Sequence, residues 1–318
     1  MIEFKNISKS YDNTPAVNDC SFTIPSHKFC VLIGPSGCGK TTMLRTVNRL
    51  VIPNEGAILI DDTNVADIPV TELRKNIGYV IQTIGLFPHM TVEKNISVVP
   101  KLLKWDKARI SKRVNEMLDL VGLEPKHYKK KRTSELSGGE AQRIGVARAL
   151  ASDPPILLMD EPFGAVDPIN REILQQSFLK IQRELKKTIL FVTHDMDEAL
   201  KMADIIAIMQ NGELIQFNSP LEILSKPEND FVKSFFGTDR IMKRLSMLKA
   251  IDYLNQTENP GKDLPKFEIP VDFSLKDILS VLFEKNVDSA SFFNKEENIS
   301  GIISLQIIRE ASGDGYVE

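Results

Sequence analysis

The sequence predicts an α/β fold in which helices cover a mostly parallel β-sheet. Short apolar runs alternate with helical stretches, which is typical of parallel strands joined by helical crossovers. A glycine-rich G-x-x-x-x-G-K-[ST] pattern at residues 34–41 stands where one such strand passes into a helix. At 318 residues, the chain is long enough for one large domain and a small second one.

The first part of the chain contains two kinds of predicted strand. Short antiparallel strands are predicted beside the main core at residues 2–4, 20–24 and 57–60. Buried parallel strands are predicted from apolar runs bounded by polar or turn residues, at residues 29–33, 77–81, 156–159, 189–192 and 205–209. A helix is predicted at residues 41–50. From about residue 92 to 150 helical periodicity replaces the strand signals, which predicts a helical insertion.

The chain changes character after residue 236, so residues 1–236 are assigned to the first domain. Residues 237–264 are assigned to a linker, with one amphipathic helix predicted at 240–254 and a polar Pro-Gly segment after it. Residues 265–318 are predicted to form one small α+β unit. Its strand, helix, strand, strand and helix are predicted at residues 267–271, 275–283, 290–293, 299–304 and 305–309.

Composition and charge limit the possible partners and compartment. The net charge of −3 provides no basic excess, so we expect no nucleic-acid partner. No apolar run reaches the ~20 residues that span a bilayer, and no apolar signal region follows Met1. The cysteines Cys20, Cys30 and Cys38 lack metal-ligand spacing, which fits a reducing cytosol. The sequence therefore predicts a cytoplasmic protein whose membrane role, if any, depends on partners.

The glycine-rich pattern predicts a loop that binds the phosphates of a nucleotide. Glycines are needed there because backbone N–H groups must turn inward around phosphate oxygens without a side chain in the way. The following helix offers its N-terminus to the same anion. Lys40 is expected against the β- and γ-phosphates, and the Thr41 hydroxyl is expected to bind Mg²⁺. The predicted nucleotide-binding residues are Gly34, Pro35, Ser36, Gly37, Cys38, Gly39, Lys40, Thr41 and Thr42.

A second glycine-rich pattern, Leu136-Ser-Gly-Gly-Glu140, precedes another helix about a hundred residues later. Ser137, Gly138 and Gly139 there are suited to contact a phosphate at a helix N-terminus. The phosphate loop already holds the nucleotide of this chain, so the second pattern predicts contact with a nucleotide supplied by another subunit.

Polar residues at strand ends complete the candidate site. Asp160 and Glu161 follow an apolar strand, which predicts a metal-binding aspartate and a general base. His194 follows another strand, where it would reach the γ-phosphate. Gln82 stands just beyond a third strand and can bind Mg²⁺ or orient water. Tyr11 precedes the loop and is a candidate to stack on adenine, with core packing as the alternative.

In the order of these motifs, residues 1 to about 236 resemble the nucleotide-binding subunit of an ATP-binding cassette (ABC) transporter. The resemblance implies an ATPase that uses ATP and Mg²⁺ and works as a homodimer. Ser137, Gly138 and Gly139 would contact the γ-phosphate bound by the opposing subunit, and Asp167 would lie at the dimer seam. It also implies transmembrane permease subunits, a solute-binding subunit outside the membrane, and attachment to its cytoplasmic face. The family usually has leucine before the acid at Asp167, where this chain has Val166.

Within that family the chain resembles the ATPases of importers for quaternary amines such as glycine betaine, carnitine or choline. The resemblance lies in residues 72–92, although relatives of that group commonly have a second glutamine where Thr83 stands. Those subunits often end in paired cystathionine-β-synthase-like (CBS) modules. Residues 266–309 resemble one such module, and no second copy follows in this sequence. The unit is expected either to be regulatory or to be a structural remnant.

Other functions remain open from the sequence. An importer of an unrelated solute or an exporter would carry the same motifs, because solute specificity lies in other subunits. ABC ATPases that act on DNA or ribosomes tend to carry long coiled coils or two cassettes in one chain, and neither is found in this sequence. A sensor that binds nucleotide without turnover is disfavoured by the presence of both Glu161 and His194.

Overall fold

The computed structural model describes residues 1–81, 85–164, 166–167, 171–172, 174–176, 178–179, 182, 186–254 and 264–312. The chain forms two compact units, Met1–Pro220 and Leu221–Glu318. The sequence places the end of the first domain at residue 236, and that assignment stays a prediction.

The first unit contains two β-sheets and a set of helices. Its strands are β1 (Ile2–Tyr11), β2 (Thr14–Ile24), β3 (Phe29–Ile33), β4 (Glu55–Ile60), β5 (Thr63–Asn64), β6 (Ile77–Val80), β7 (Ile156–Asp160), β8 (Thr188–Val192), β9 (Ile205–Gln210) and β10 (Glu213–Asn218). Its helices are α1 (Lys40–Val47), α2 (Val70–Lys75), α3 (Val92–Ile96), α4 (Val98–Leu102), α5 (Lys107–Leu120), α6 (Pro125–Tyr128), α7 (Gly138–Leu150) and α8 (Met196–Met202). Helical conformation is also described within residues 171–182.

The larger sheet has six strands in the order β10-β9-β3-β8-β7-β6. Strand β3 is parallel to both of its neighbours, β8 and β9. All five of its residues are buried, as expected for a central strand of a sheet covered on both faces. Strand β7 is parallel to β8 as well, so the carboxyl ends of β3, β7 and β8 meet at one edge, which is where ligands bind in sheets of this kind. The predicted α/β fold with a parallel core is confirmed.

The smaller sheet has the order β2-β1-β4-β5, and its strands are antiparallel. Its strands are longer than the sequence predicts, because polar positions continue the β1–β2 ladder to the pair Tyr11 and Thr14. Phe4 and Phe22 stack at 4.5 Å between ring centroids and pack in one core cluster with residues of the larger sheet. The predicted antiparallel subdomain is confirmed.

Strand β10 is absent from the sequence-based assignment. It pairs antiparallel with β9 through the turn at Asn211 and Gly212, whose φ angles are 50° and 85°. An Asn-Gly pair between two apolar runs is the usual signal of a two-residue hairpin, and it was available in the sequence.

Residues 92–150 form the predicted helical insertion, with α3 to α7 and a 3₁₀ turn at Thr133–Glu135. In α5 the buried side chains are Ile110, Val114, Met117 and Leu118, the spacing of one helix face. Asp106 caps this helix by accepting from the N–H of Arg109 at 2.8 Å.

The second unit is a small α+β structure. It contains strands β11 (Lys266–Glu268), β12 (Ser289–Asn294) and β13 (Ile299–Ser304) and helices α9 (Pro220–Ser225), α10 (Asp230–Phe235), α11 (Arg240–Met247), α12 (Ile251–Leu254), α13 (Leu275–Lys285) and α14 (Leu305–Ser312), of which α9 begins at the unit boundary. The sheet order is β11-β12-β13, with β11 parallel and β13 antiparallel to β12. The unit has its own apolar core, in which Phe292, Leu282 and Ile303 are fully buried.

The single helix predicted at residues 240–254 is wrong, because the structure has two helices there. Leu248 ends α11 in an extended conformation. The Ala250 N–H donates to the Phe273 carbonyl at 2.8 Å, and the Leu248 carbonyl accepts from the Leu275 N–H at 2.9 Å. Pairing with this distant segment replaces the hydrogen bonds of a continuous helix, although the amphipathic pattern continues.

Among the helices described, none is both long enough and apolar enough to cross a membrane.

Candidate functional site

The loop between β3 and α1 has a backbone that only glycine fits at two positions. Gly34 and Gly39 have φ angles of 150° and 101°. A Cβ atom at Gly34 would lie 2.1 Å from the Met209 carbonyl oxygen, and one at Gly39 would lie 2.3 Å from that of Ala16. Such distances exclude any side chain, so the loop is held against β9 and β2 by backbone contact. This is the geometry that the phosphate-loop pattern predicts.

Lys40 begins α1 and is buried, with its charge inside the loop. Its Nζ atom donates to the carbonyl oxygens of Gly34 and Pro35 at 2.8 Å each. The predicted residue Cys38 is buried as well, and burial raises the pKa of its thiol. An open cleft of about 300 Å³ lies beside the loop and is lined by Ala16, Ser36, Gly37, Gly39, Lys40, Thr41, Thr42, Glu161 and His194.

Asp160 lies at the end of β7 beside the first turn of α1. Its carboxylate is fully buried, and its Oδ1 atom accepts from the Thr41 hydroxyl at 2.9 Å. Arg45 approaches the other oxygen, with its Nη2 atom 3.4 Å away. Burial raises the pKa of Asp160, and the Thr41 hydrogen bond and the Arg45 charge act against that rise. A carboxylate and a hydroxyl facing the phosphate loop are hard oxygen donors of the kind that Mg²⁺ prefers.

Glu161 and His194 lie beside each other in the lining of the cleft. Glu161 has a φ angle of 47°, and its N–H donates to the Val192 carbonyl at 3.0 Å. This left-handed turn after Asp160 directs the two adjacent carboxylates to different partners. The Oε2 atom of Glu161 lies 3.3 Å from Nδ1 of His194, whose side chain is 67% exposed. A carboxylate and an imidazole at hydrogen-bond distance can hold and move a proton.

The Ser-Gly-Gly segment forms the N-terminus of α7. The Ser137 hydroxyl accepts from the Glu140 N–H at 3.2 Å, and the Glu140 carboxylate accepts from the Ser137 N–H at 2.7 Å. Glu140 also accepts from the Tyr128 hydroxyl, and these hydrogen bonds lower the pKa of its carboxyl group, that of Tyr128 most. A Cβ atom at Gly138 would meet no described atom within 4 Å apart from its chain neighbours and the backbone of its own helix. The part of this chain that the structure describes therefore does not require glycine there.

The remaining predicted residues lie apart from the cleft or outside the description. Tyr11 is at the end of β1 and half exposed, and it is not among the described residues that line the cleft. Ser137, Gly138 and Gly139 are not among them either. Asp167 is exposed, and its carbonyl accepts from the Arg171 N–H at 2.8 Å. Gln82 lies outside the described residues.

Sequence reasoning missed Arg45, which binds Asp160. Its Nε atom also donates to the Tyr79 hydroxyl at 3.3 Å, so it joins α1 to both β7 and β6. The available signal was its position four residues after Thr41, which places both on one face of α1.

A second groove of about 260 Å³ lies between the sheet and the helical insertion. It is lined by Asn48, Leu50, Arg74, Ile77, Gly78, Tyr79, Val99, Arg148, Ala149 and Ser152. Leu50 lines this groove and is 51% exposed, and the apolar side chains of Ile52 and Leu102, which are not among its lining residues, are 68% and 74% exposed. Burial lowers the pKa of Arg148, whose guanidinium donates to the Gly85 carbonyl at 2.7 Å.

Comparison with known proteins identifies relatives over almost the whole chain. A family model described as "ABC transporter" matches residues 17–164. The osmoprotectant import ATP-binding protein OsmV of Salmonella typhimurium is 45% identical over 98% of this chain and 81% of its own length. The choline transport ATP-binding protein OpuBA of Bacillus subtilis is 46% identical over 97% of this chain and 79% of its own. The glycine betaine uptake system ATP-binding protein YehX of Escherichia coli is 43% identical over 96% of this chain and 98% of its own.

Solved structures match about two thirds of the chain. The ATP-binding cassette MJ0796, a dimer in a post-hydrolysis state bound to ADP and Pi, superposes with a TM-score of 0.64. It is 33% identical, and the match covers 69% of this chain and 99% of MJ0796.

Proposed function

Since this chain belongs to the ABC transporter family, we propose that it is the ATP-hydrolysing subunit of an importer for quaternary-amine osmoprotectants such as glycine betaine, carnitine or choline. The observation that carries the ATPase part is the pairing of Glu161 with His194 in the cleft that the phosphate loop also lines. The solute class is supported by the names of three relatives that are 43–46% identical over nearly the full chain.

ATP binding begins with the phosphate loop. The backbone N–H groups at the start of α1 and the charge of Lys40 attract the phosphates. The Thr41 hydroxyl and the Asp160 carboxylate would hold Mg²⁺, which supplies positive charge against the phosphate oxygens. A cation there would favour the charged form of Asp160, which burial disfavours. Gln82 is proposed as a further ligand, and Tyr11 as the residue that stacks on adenine.

Hydrolysis requires a water molecule aligned with the γ-phosphate and a group that accepts its proton. Glu161 is proposed as that general base, because its carboxylate lines the cleft next to the loop. His194 is proposed to hold Glu161 in place and to donate to a γ-phosphate oxygen. This proposal is supported by the position of its imidazole, which lies 3.3 Å from Glu161 and lines the cleft together with the phosphate loop.

A second copy of the chain is proposed to complete the site. Ser137, Gly138 and Gly139 would contact the γ-phosphate bound by the partner subunit, with Asp167 at the seam. The open surface at Gly138 supports this arrangement, because the glycine has no steric purpose among the described residues of its own chain. The ATP sandwiched between two subunits then gains charge-assisted hydrogen bonds that are lost after hydrolysis.

The second groove is proposed as the place where the permease docks. Leu50, which lines the groove and is half exposed, provides apolar surface of the kind that an interface buries. The subunit would in this way be held at the cytoplasmic face of the membrane, beneath a permease that receives solute from an extracellular or periplasmic binding subunit.

Glu161→Gln is the first test of the ATPase part. General-base catalysis contributes about 10²- to 10⁴-fold to a rate, so steady-state ATPase activity should fall by that factor while ATP binding is retained. Glu172→Gln is the matched control, because Glu172 is 64% exposed and forms an ion pair of 3.1 Å with Lys201 away from the residues that line the cleft. Hydrolysis by Glu161→Gln within tenfold of the unmodified subunit would contradict the assignment.

The solute is tested separately in proteoliposomes that contain the assembled transporter. ATP-dependent uptake of radiolabelled glycine betaine, carnitine or choline is expected. Uptake of none of them, with ATPase activity intact, would point to an importer of another solute or to an exporter.

A further inference from the structure

A buried hydrogen-bond network lies directly behind His194. Thr193 and Glu198 are only 3% and 6% exposed. The Thr193 hydroxyl donates to Oε2 of Glu198 at 2.7 Å, and the same hydroxyl oxygen accepts from the Asp195 N–H at 3.0 Å. The network therefore holds the backbone on both sides of His194.

Two further elements fix Glu198 itself. Its Oε1 atom accepts from the side-chain amide of Gln175 at 3.1 Å, and Gln175 is also buried. Its N–H donates to the Asp195 side chain at 3.1 Å, which caps α8. The carboxylate thus joins the end of β8, the start of α8 and the described helical residues around Gln175.

Burial of the Glu198 carboxylate costs free energy, so its presence in this network is informative. A buried carboxylate must give up hydration, and here burial raises the pKa of Glu198 while the Thr193 and Gln175 hydrogen bonds act against that rise. An apolar side chain would pack there without this cost. The imidazole of His194, by contrast, is largely exposed and gains little orientation from packing. Its placement depends on the backbone from which it projects.

We propose that Glu198 is a positioning residue that acts through Thr193 to fix His194 beside Glu161 and the phosphate loop. The proposal rests on the proposed function of His194 as the group that contacts the γ-phosphate. The network touches neither the loop nor Lys40 in the described structure. Its loss should therefore lower kcat more than it changes KM for ATP, and a misplacement of about 1 Å can cost about 10²-fold in rate.

The test compares Thr193→Val, which keeps the shape and removes the hydroxyl, with Thr193→Ser, which restores the hydroxyl. Thr188→Val is the matched control, since Thr188 is a buried threonine at the other end of β8 whose hydroxyl accepts from the His27 N–H at 2.9 Å. The expected result is a fall in kcat of about 10- to 100-fold for Thr193→Val, with KM changed less than threefold. Thr193→Ser and Thr188→Val should stay within threefold of the unmodified subunit.

A spectroscopic readout separates positioning from loss of fold. The chain has four histidines, so protein labelled with carbon-13 at histidine Cε1 gives four resonances, and His194→Gln identifies that of His194. Thr193→Val and Glu198→Gln should move or broaden the His194 resonance and leave the other three unchanged. An unchanged His194 resonance in both variants would overturn the proposal. So would equal shifts of all four, because they would indicate a general structural role. This readout needs no hydrolysis, so failure of the proposed ATPase function would be recognised separately.

Discussion

Replacement of Gly138 by alanine separates what this chain needs for its own fold from what the proposed dimer needs. Gly138 is the first residue of α7, and beyond its chain neighbours and its own helix backbone a Cβ atom there meets no described atom within 4 Å. Alanine in place of glycine at a compatible position stabilises a protein by about 0.4–1 kcal/mol, chiefly by restricting the unfolded chain. A stabilisation of that size raises Tm by about 1–4 °C in a domain of this length.

Gly138→Ala should weaken formation of the proposed dimer, although it stabilises the single subunit. A hydrogen bond to a charged group contributes about 1.5–3 kcal/mol, and a methyl group at Gly138 would keep the partner's γ-phosphate out of reach of the α7 N–H groups. The two sites of a symmetric dimer would together lose about 3–6 kcal/mol, which corresponds to about 10²- to 10⁴-fold in the dimerisation constant.

The assay is sedimentation or light scattering of the subunit with saturating ATP, in a Glu161→Gln background that prevents hydrolysis. That background should dimerise with ATP and stay monomeric with ADP, and Gly138→Ala added to it should stay largely monomeric with either nucleotide. Calorimetry of Gly138→Ala alone should show an unchanged or higher Tm. Normal ATP-driven dimerisation of Gly138→Ala would refute the proposed contact in trans. A lower Tm would show instead that the chain itself requires the glycine.

Three further predictions concern the phosphate-loop site and the C-terminal CBS-like unit. Lys40→Ala should weaken ATP binding by about 10- to 100-fold, as measured with a fluorescent nucleotide, because a charged hydrogen-bond donor to the phosphates is lost; unchanged affinity would contradict the assigned role. Thr41→Val should raise the Mg²⁺ concentration needed for half-maximal ATPase activity while Thr41→Ser does not, and equal Mg²⁺ dependence of both would remove Thr41 from the metal site. If the CBS-like unit is regulatory and pairs with its copy from the other subunit, truncation after Gly237 in the assembled transporter should alter the response of uptake to salt. The same uptake and ATPase activity as the full-length protein at every salt concentration would identify the unit as a remnant.

The fold class and most of its elements were predictable, because strongly periodic or wholly apolar segments predict which parts of the chain are buried. The five residues of β3 are all buried in the structure, and the helical insertion ends within the predicted range. The differences between the predicted and observed element bounds have physical reasons. Polar residues extend β1 and β2 because pairing continues beyond the apolar pattern, and α11 ends at Leu248 because the chain pairs with residues 273–275.

The sequence by itself determined the features whose cause is local. The phosphate loop depends on glycines and a lysine within eight residues, and the capping box at Ser137 depends on a glutamate three positions later. Tertiary structure alone decided which of these features meet. Thr41 and Asp160 are 119 residues apart and Arg45 and Asp160 are 115 apart, yet they touch because β7 lies beside β8, which lies beside β3. Apolar periodicity predicts that a strand is buried but not which strand becomes its neighbour, since any parallel pair satisfies the same backbone hydrogen bonds.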